Sequence, residues 1–213
     1  AILGCGRISK SHIAAIYKQK EKCNLIALCD TSEHNLNSAF EYAKNLFNND
    51  ANFKTLKFNE KIDDKKIAVC IACSGYEKQW GPENYIKLIK FLSSKGYTKF
   101  LILSGKDQFG IEEEIIKKSD MKLEFIKSSE KTISQVIPEL KSCKLFIGND
   151  TGFSHLATAY AKKTFVILGD CPPHTYSDLI IPIDKEDNSP RNSNSIKSIS
   201  FEKVINIFNK NEN

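Results

Sequence analysis

The chain has 213 residues, of which 41% are hydrophobic, and a formal net charge of +5. This size and composition are ordinary for a soluble globular protein with one large domain or two small ones. The lysines are scattered and are not interleaved with aromatic residues, so the sequence predicts no nucleic-acid-binding surface. No apolar run approaches the roughly 18 residues that a transmembrane helix needs, and we expect a cytoplasmic protein without a membrane span.

The first part of the chain, residues 1–47, is predicted to form a partial Rossmann-like unit. Two apolar runs are typical of strands, and the residues that follow each of them have helical periodicity. The predicted elements are residues 1–3, 9–20, 24–29 and 32–46. The polar cluster that begins at Asn48 and the weakly patterned residues up to 64 are predicted to be a linker.

The second part, residues 65–213, alternates strands with helices. The predicted strands are residues 67–72, 99–103, 122–126, 145–148, 164–168 and 179–182. The predicted helices are residues 82–95, 111–118, 132–141, 152–162 and 200–209, and residues 185–200 are predicted to be a surface loop. Such alternation favours an α/β fold in which a Rossmann-like parallel sheet carries helices on both faces. The partial βαβ unit would precede it.

A glycine turn follows the first predicted strand, in Gly4-Cys-Gly6-Arg-Ile-Ser9. Small residues between a strand and a helix let the backbone approach a pyrophosphate, and Asp30, at the end of the second strand, is placed to bind a ribose. Residues 1–46 resemble the N-terminus of the glucose-fructose oxidoreductase and inositol dehydrogenase family (Gfo/Idh/MocA), which implies NAD(P) binding. The Glu-Lys-Pro segment and the later Asp and His of that family are not found in the rest of the chain. A tight turn without a cofactor is the alternative.

Cys70 and Cys73 form a C-x-x-C motif inside an apolar run. Neither a second such motif nor a histidine pair accompanies them, and the seven cysteines of the chain are an odd number. We therefore interpret these cysteines as small apolar residues in a reducing compartment, without structural zinc.

The segment Gly148-Asn-Asp-Thr-Gly-Phe-Ser-His155 joins a buried strand to a helix. Asp150 and Thr151 are candidate caps, and the free N–H groups of the first helical turn form an anion site together with Gly152. His155, on the same turn, can donate a hydrogen bond or a positive charge to that anion. The segment predicts a pyrophosphate-binding site; a capped helix with a packed histidine is the structural alternative.

With the flanking Leu-Ala-Thr-Ala159 and Lys163-Thr-Phe-Val-Ile-Leu-Gly169, this segment resembles the heptosyltransferases, the glycosyltransferases of family 9. Glu77-Lys78-Gln-Trp80-Gly-Pro82 is similar to the segment of that family whose lysine contacts the donor phosphates, which implies this role for Lys78. The resemblance also implies that Ser74 and Asp107 contact the donor nucleoside.

The resemblance implies a donor-binding domain of the GT-B type and transfer of a heptose-like sugar from a nucleoside diphosphate sugar, such as an ADP-sugar. The product would enter lipopolysaccharide or surface polysaccharide. No other cofactor and no metal are expected, because a paired-carboxylate motif such as D-x-D is absent from the sequence. The catalytic base and the acceptor site of the family belong to an N-terminal domain, and we do not assign the base. Asp30 ends the second predicted strand and does not follow the first, so we do not assign this role to it.

The acceptor would be lipid-linked or a polysaccharide, which suggests peripheral association with the inner face of the bacterial cytoplasmic membrane. Two other functions are compatible with the sequence. One is an NAD(P)-dependent sugar oxidoreductase that uses Gly4, Gly6 and Asp30, and the other is a nucleotide-binding module without turnover.

Overall fold

The structure is a computed structural model. It describes residues 2, 3, 5, 9–22, 25, 28–30, 32–47, 61–75, 78–119, 122–174, 177–185, 190–192 and 194–212. The chain divides into two compact units, one of residues 1–59 with 158–161 and the other of residues 60–157 with 162–213. No helix of the described ranges is long and apolar enough to cross a membrane.

The described part of the first unit contains two short strands and two helices: β1 (Ile2–Leu3), α1 (Ser9–Lys18), β2 (Leu28–Cys29) and α2 (Glu33–Leu46). β1 and β2 pair in parallel, with Ile2 opposite Leu28. The Ser32 hydroxyl caps α2 by accepting a hydrogen bond from the Asn35 N–H at 3.3 Å. The described elements follow one another in the order strand, helix, strand, helix.

The second unit is a six-stranded parallel sheet with its helices. Its strands are β3 (Asp63–Cys70), β4 (Lys99–Leu103), β5 (Glu124–Lys127), β6 (Cys143–Asn149), β7 (Lys163–Ile167) and β8 (Ile180–Ile183). Its helices are α3 (Pro82–Ser94), α4 (Phe109–Lys118), α5 (Ile133–Ser142), α7 (Phe201–Asn211) and α6 (Gly152–Ala159), of which the last two residues are counted with the first unit. Single 3₁₀ turns lie at Lys106–Gln108 and Ser195–Ser198.

The strand order is β5-β4-β3-β6-β7-β8, and all neighbours are parallel. This is the Rossmann order, in which the chain builds outward from β3 in one direction and then from β6 in the other. Because crossovers between parallel strands are right-handed, the reversal puts α3 and α4 on one face and α5 and α6 on the other. The predicted fold class is confirmed.

β3 begins at Asp63, earlier than predicted, so two residues assigned to the linker belong to the sheet. Its first half is polar, and Lys66 is nevertheless buried. The Lys66 ammonium donates to Glu139 Oε2 at 2.5 Å and to Ser142 Oγ at 2.8 Å, both at the end of α5. A charge that is paired and hydrogen-bonded in this way can be buried, so the strand does not need an apolar residue there.

The predicted loop of residues 185–200 contains the 3₁₀ turn Ser195–Ser198, and Ile196 and Ile199 are buried. The buried Trp80 indole N–H donates to the Ile199 carbonyl at 2.7 Å. This contact joins the loop before α3 to the segment before α7. The turn therefore belongs to the core and not to a surface loop.

Candidate functional site

β3 and β6 are the two central strands, and the chain leaves their carboxyl ends in opposite directions. In doubly wound sheets this switch point opens a crevice in which ligands bind. The loop after β3 carries Ser74 and Lys78, and the loop after β6 carries Asp150 and Thr151. The loop after β7 contributes two further side chains, Asp170 and His174.

Gly148 lets β3 and β6 approach closely at this edge. It lies opposite Cys70 with φ +151°, and a Cβ atom on it would lie 2.2 Å from the Cys70 carbonyl oxygen. The next residue, Asn149, is buried and joins the two loops. Its Nδ2 donates to the Ala72 carbonyl at 3.1 Å, and its Oδ1 accepts the Tyr85 hydroxyl at 2.6 Å. Asn149 therefore holds the start of the loop after β6 to the loop after β3 and to Tyr85 of α3.

α6 begins directly after that anchor. The Thr151 hydroxyl accepts a hydrogen bond from the Phe153 N–H at 3.2 Å, and the Thr151 carbonyl accepts the Ser154 N–H at 3.0 Å. Gly152, the first helical residue, is exposed, and no heavy atom lies within 4 Å of the position of a Cβ there. An anion can thus approach the backbone N–H groups of this first turn closely.

Asp150 contacts two histidines. His174 Nε2 lies 3.0 Å from Asp150 Oδ1, and His155 Nε2 lies 4.0 Å from the same oxygen. The two imidazole rings meet edge to face with centroids 5.0 Å apart. Burial and the neighbouring His174 lower the pKa of His155, against the opposing effect of Asp150, so the imidazole is neutral near pH 7.

Sequence reasoning missed His174. The sequence did contain a feature that could have indicated this residue. The polar, proline-containing segment Gly169-Asp-Cys-Pro-Pro-His174 follows the buried strand β7. Carboxyl-end loops of parallel strands share one edge of the sheet, so this loop could have been assigned to the site.

Lys78 forms an ion pair across the edge of the sheet. Its Nζ lies 2.7 Å from Asp170 Oδ2, and both side chains are 35% exposed. The hydrogen bond from Lys78 lowers the pKa of Asp170. Because Asp170 and His174 share one loop, that loop contacts both Lys78 and Asp150. The five residues predicted to bind the donor diphosphate therefore lie on loops or in the first turn of α6 at the same edge of the sheet, and the loop after β7 contacts two of them, Lys78 and Asp150.

The two residues assigned to the nucleoside, Ser74 and Asp107, are exposed on the loops after β3 and β4. Gln108 holds these loops together: its Nε2 donates to the Cys73 carbonyl at 3.2 Å, and its Oε1 accepts the Gly105 N–H at 2.8 Å. Glu112, on α4, is fully buried and accepts a hydrogen bond from the Ser129 hydroxyl. Its burial raises the pKa of its carboxyl group.

Cys70 is fully buried in β3, and burial raises the pKa of its thiol to about 12. A thiol that stays protonated is a poor nucleophile and a poor metal ligand. The Cys70 Sγ lies 3.5 Å from the Thr151 hydroxyl oxygen. This cysteine packs as a small core residue below the α6 terminus, as the sequence predicted.

In the first unit, Gly4 and Gly6 lie outside the described residues. Asp30 is described, and both of its carboxylate oxygens accept backbone hydrogen bonds, Oδ2 from the Cys5 N–H at 2.6 Å and Oδ1 from the Ser32 N–H at 2.7 Å. Its observed contacts thus join the ends of β1 and β2 to the start of α2.

Several solved structures have the same fold. An ADP-heptose lipopolysaccharide heptosyltransferase II of Escherichia coli matches with a TM-score of 0.59 and 20% identity over 80% of this chain and 50% of its own. The E. coli heptosyltransferase WaaC, solved with ADP-2-deoxy-2-fluoro heptose, matches with a TM-score of 0.62 and 15% identity over 95% of this chain and 77% of its own. A family 9 glycosyltransferase of Veillonella parvula matches with a TM-score of 0.60, 13% identity, and coverage of 94% and 78%.

The chain spans half the length of the first of these structures. No curated protein matches it. The chain thus shares the parallel α/β fold of the heptosyltransferase structures.

The family model described as glycosyltransferase family 9 (heptosyltransferase) matches residues 14–206. This range includes most of the segment in which we saw a resemblance to the Gfo/Idh/MocA family, and that resemblance is not supported. A strand, a small-residue turn and a helix are common to many nucleotide-binding folds, which explains the misleading similarity. The chain belongs to glycosyltransferase family 9, the heptosyltransferase family.

Proposed function

We propose that this chain binds an ADP-sugar, with a heptose-like sugar, and stabilises the departing ADP during glycosyl transfer. The observation that carries the proposal is the open first turn of α6, where exposed Gly152 lies between the cap Thr151 and His155. The donor-binding domain is the second unit, and our sequence-based estimate of its extent is residues 65–213. The WaaC structure with an ADP-heptose analogue supports the choice of ligand.

The chemistry needs positive charge where the diphosphate leaves. Breaking the bond between the sugar and the diphosphate leaves a negative charge on the released phosphate oxygen. In our proposal the N–H groups at Thr151 and Gly152 and the imidazole of His155 receive that charge, and Lys78 neutralises the diphosphate from the other side. Asp150 fixes the direction in which the histidines face. Ser74 and Asp107 are proposed to contact the nucleoside.

The acceptor in this proposal is a lipid-linked or polysaccharide sugar of the bacterial surface, and the site of action is the inner face of the cytoplasmic membrane. The formal net charge of +5 is compatible with attraction to anionic donors and membranes. The base that deprotonates the acceptor hydroxyl is not assigned to any residue of this chain.

Calorimetric titration with ADP tests the proposal. We expect one ADP per chain, and we expect His155→Ala to weaken binding about 10-fold, as for the loss of one hydrogen bond to a charged group. His12→Ala, on an exposed position of α1, is the matched control and should leave binding unchanged. Absence of heat at millimolar ADP, or equal affinities of wild type and His155→Ala, would contradict the proposal.

The pH dependence of ADP binding follows from the lowered pKa of His155. A bound diphosphate stabilises the imidazolium and raises that pKa, so binding takes up a proton. ADP affinity should therefore rise as the pH falls from 8 to 6. The phosphate of ADP also titrates, but equally for wild type and His155→Ala, so the difference between the two isolates the histidine. A difference that does not change with pH would show that His155 stays neutral in the complex.

A further inference from the structure

Three potential metal ligands converge beside the start of α6. They are Asp150, His155 and His174, and their ligand atoms all lie within 4.8 Å of one another. The three residues come from two different loops and one helix turn, so their meeting is a property of the folded edge and not of local sequence. We propose that they bind a divalent transition-metal ion.

The distances suit such an ion. In a tetrahedral zinc site with bonds of about 2.0–2.2 Å, ligand atoms lie about 3.4 Å apart. The distance from Asp150 Oδ1 is 3.0 Å to His174 Nε2 and 4.0 Å to His155 Nε2. All three ligand atoms therefore lie near coordination spacing, and the two histidine side chains are the groups that would adjust to the ion.

The ligand types determine the class of metal. Two imidazoles and one carboxylate suit Zn²⁺, Fe²⁺, Co²⁺ or Ni²⁺, whereas Mg²⁺ and Ca²⁺ prefer all-oxygen ligands. The side chain of His155 is 47% exposed, that of His174 24% and that of Asp150 14%. An ion can thus reach the site from solvent. With three protein ligands, at least one coordination position stays open, as in metal sites that bind a substrate.

The open position gives the metal a role at the donor, and this consequence rests on the proposed function. A metal at Asp150 lies next to the N-terminus of α6, where the diphosphate is proposed to bind. It would coordinate a phosphate oxygen and replace His155 as the positive group on that side. Two states of the site follow, one in which the imidazole contacts the phosphate and one in which the metal does.

Metal binding is tested first without nucleotide. The protein is treated with EDTA, carries no histidine tag and is titrated with Zn²⁺ by calorimetry, and with Co²⁺ by absorption spectroscopy. We expect one ion per chain and no binding of Mg²⁺. His174→Ala and His155→Ala should each weaken Zn²⁺ binding by at least about 10-fold. This is the smallest loss of metal affinity that is usual when a residue beside a metal is removed, and the loss of a ligand should be no smaller.

Matched controls separate this site from other ligands. His12 and His34 are exposed on α1 and α2 and are the only other histidines of the sequence, so the double variant His12→Ala/His34→Ala should bind Zn²⁺ normally. Cys171 is an exposed thiol in the same loop as His174. Zn²⁺ binding that persists in His174→Ala, or that is lost in Cys171→Ser and retained in both histidine variants, would overturn the proposal.

ADP titrations with EDTA and with Zn²⁺ then distinguish the two proposals. ADP binding in EDTA together with no Zn²⁺ binding would overturn the metal site and leave the donor site standing. Zn²⁺ binding that depends on His174, together with no ADP binding under either condition, would support the metal site and overturn the donor site.

Discussion

A Gly148→Ala variant should lose about 2–6 kcal/mol of its free energy of unfolding, the sum of overpacking and backbone strain. The added Cβ would lie 2.2 Å from the oxygen, 2.6 Å from the nitrogen and 2.8 Å from the carbonyl carbon of Cys70. These are backbone atoms of the adjacent central strand. β3 and β6 are paired from Ile67 to Cys70, so neither strand can move without breaking the centre of the sheet.

Because single domains are stable by only about 5–15 kcal/mol, such a loss should be visible as a large fall in the urea midpoint. Gly110→Ala is the matched control. It lies in α4, where an added Cβ has no heavy atom within 4 Å, and alanine there should leave stability unchanged or raise it by up to about 1 kcal/mol. Circular dichroism follows unfolding in both variants. Equal midpoints for Gly148→Ala and wild type would contradict the close approach of β3 and β6.

The parallel sheet was predictable because its determinants are local. Apolar runs such as Ile67–Cys70 and Phe100–Leu103 recur at short intervals between helical segments, and this pattern is typical of parallel strands with crossover helices. The amphipathic last helix, with Val204 and Phe208 buried, was recognisable in the same way. The start of α6 was predictable from the short polar segment between an apolar strand and a helical pattern.

The features that were missed depend on partners distant in the chain. Lys66 is a strand residue because Glu139, 73 positions later, neutralises it. The position of His174 beside Asp150 depends on the path of the loop after β7, which periodicity does not specify. The same loop places Asp170 against Lys78. The sequence therefore predicted a role for the lysine but not the carboxylate with which the lysine forms an ion pair.

That ion pair leads to the last prediction. Lys78→Ala should weaken ADP binding about 10- to 100-fold, because a charged hydrogen bond to the diphosphate is lost. Asp170→Asn should act in the opposite direction. A partly exposed ion pair stabilises the free state by about 0–1 kcal/mol, so releasing Lys78 from Asp170 should raise ADP affinity up to about fivefold.

The double variant decides whether the two residues act through each other. If Asp170 competes with the diphosphate for the ammonium group, Asp170→Asn should raise affinity less in the Lys78→Ala background than in wild type. Lys118→Ala removes an equal charge from an exposed pair with Glu114 on α4 and is the control for net charge. An equal effect of Asp170→Asn in both backgrounds would mean that the carboxylate only repels the ligand. A loss of affinity in Asp170→Asn would mean that the ion pair holds Lys78 in position and does not compete for it.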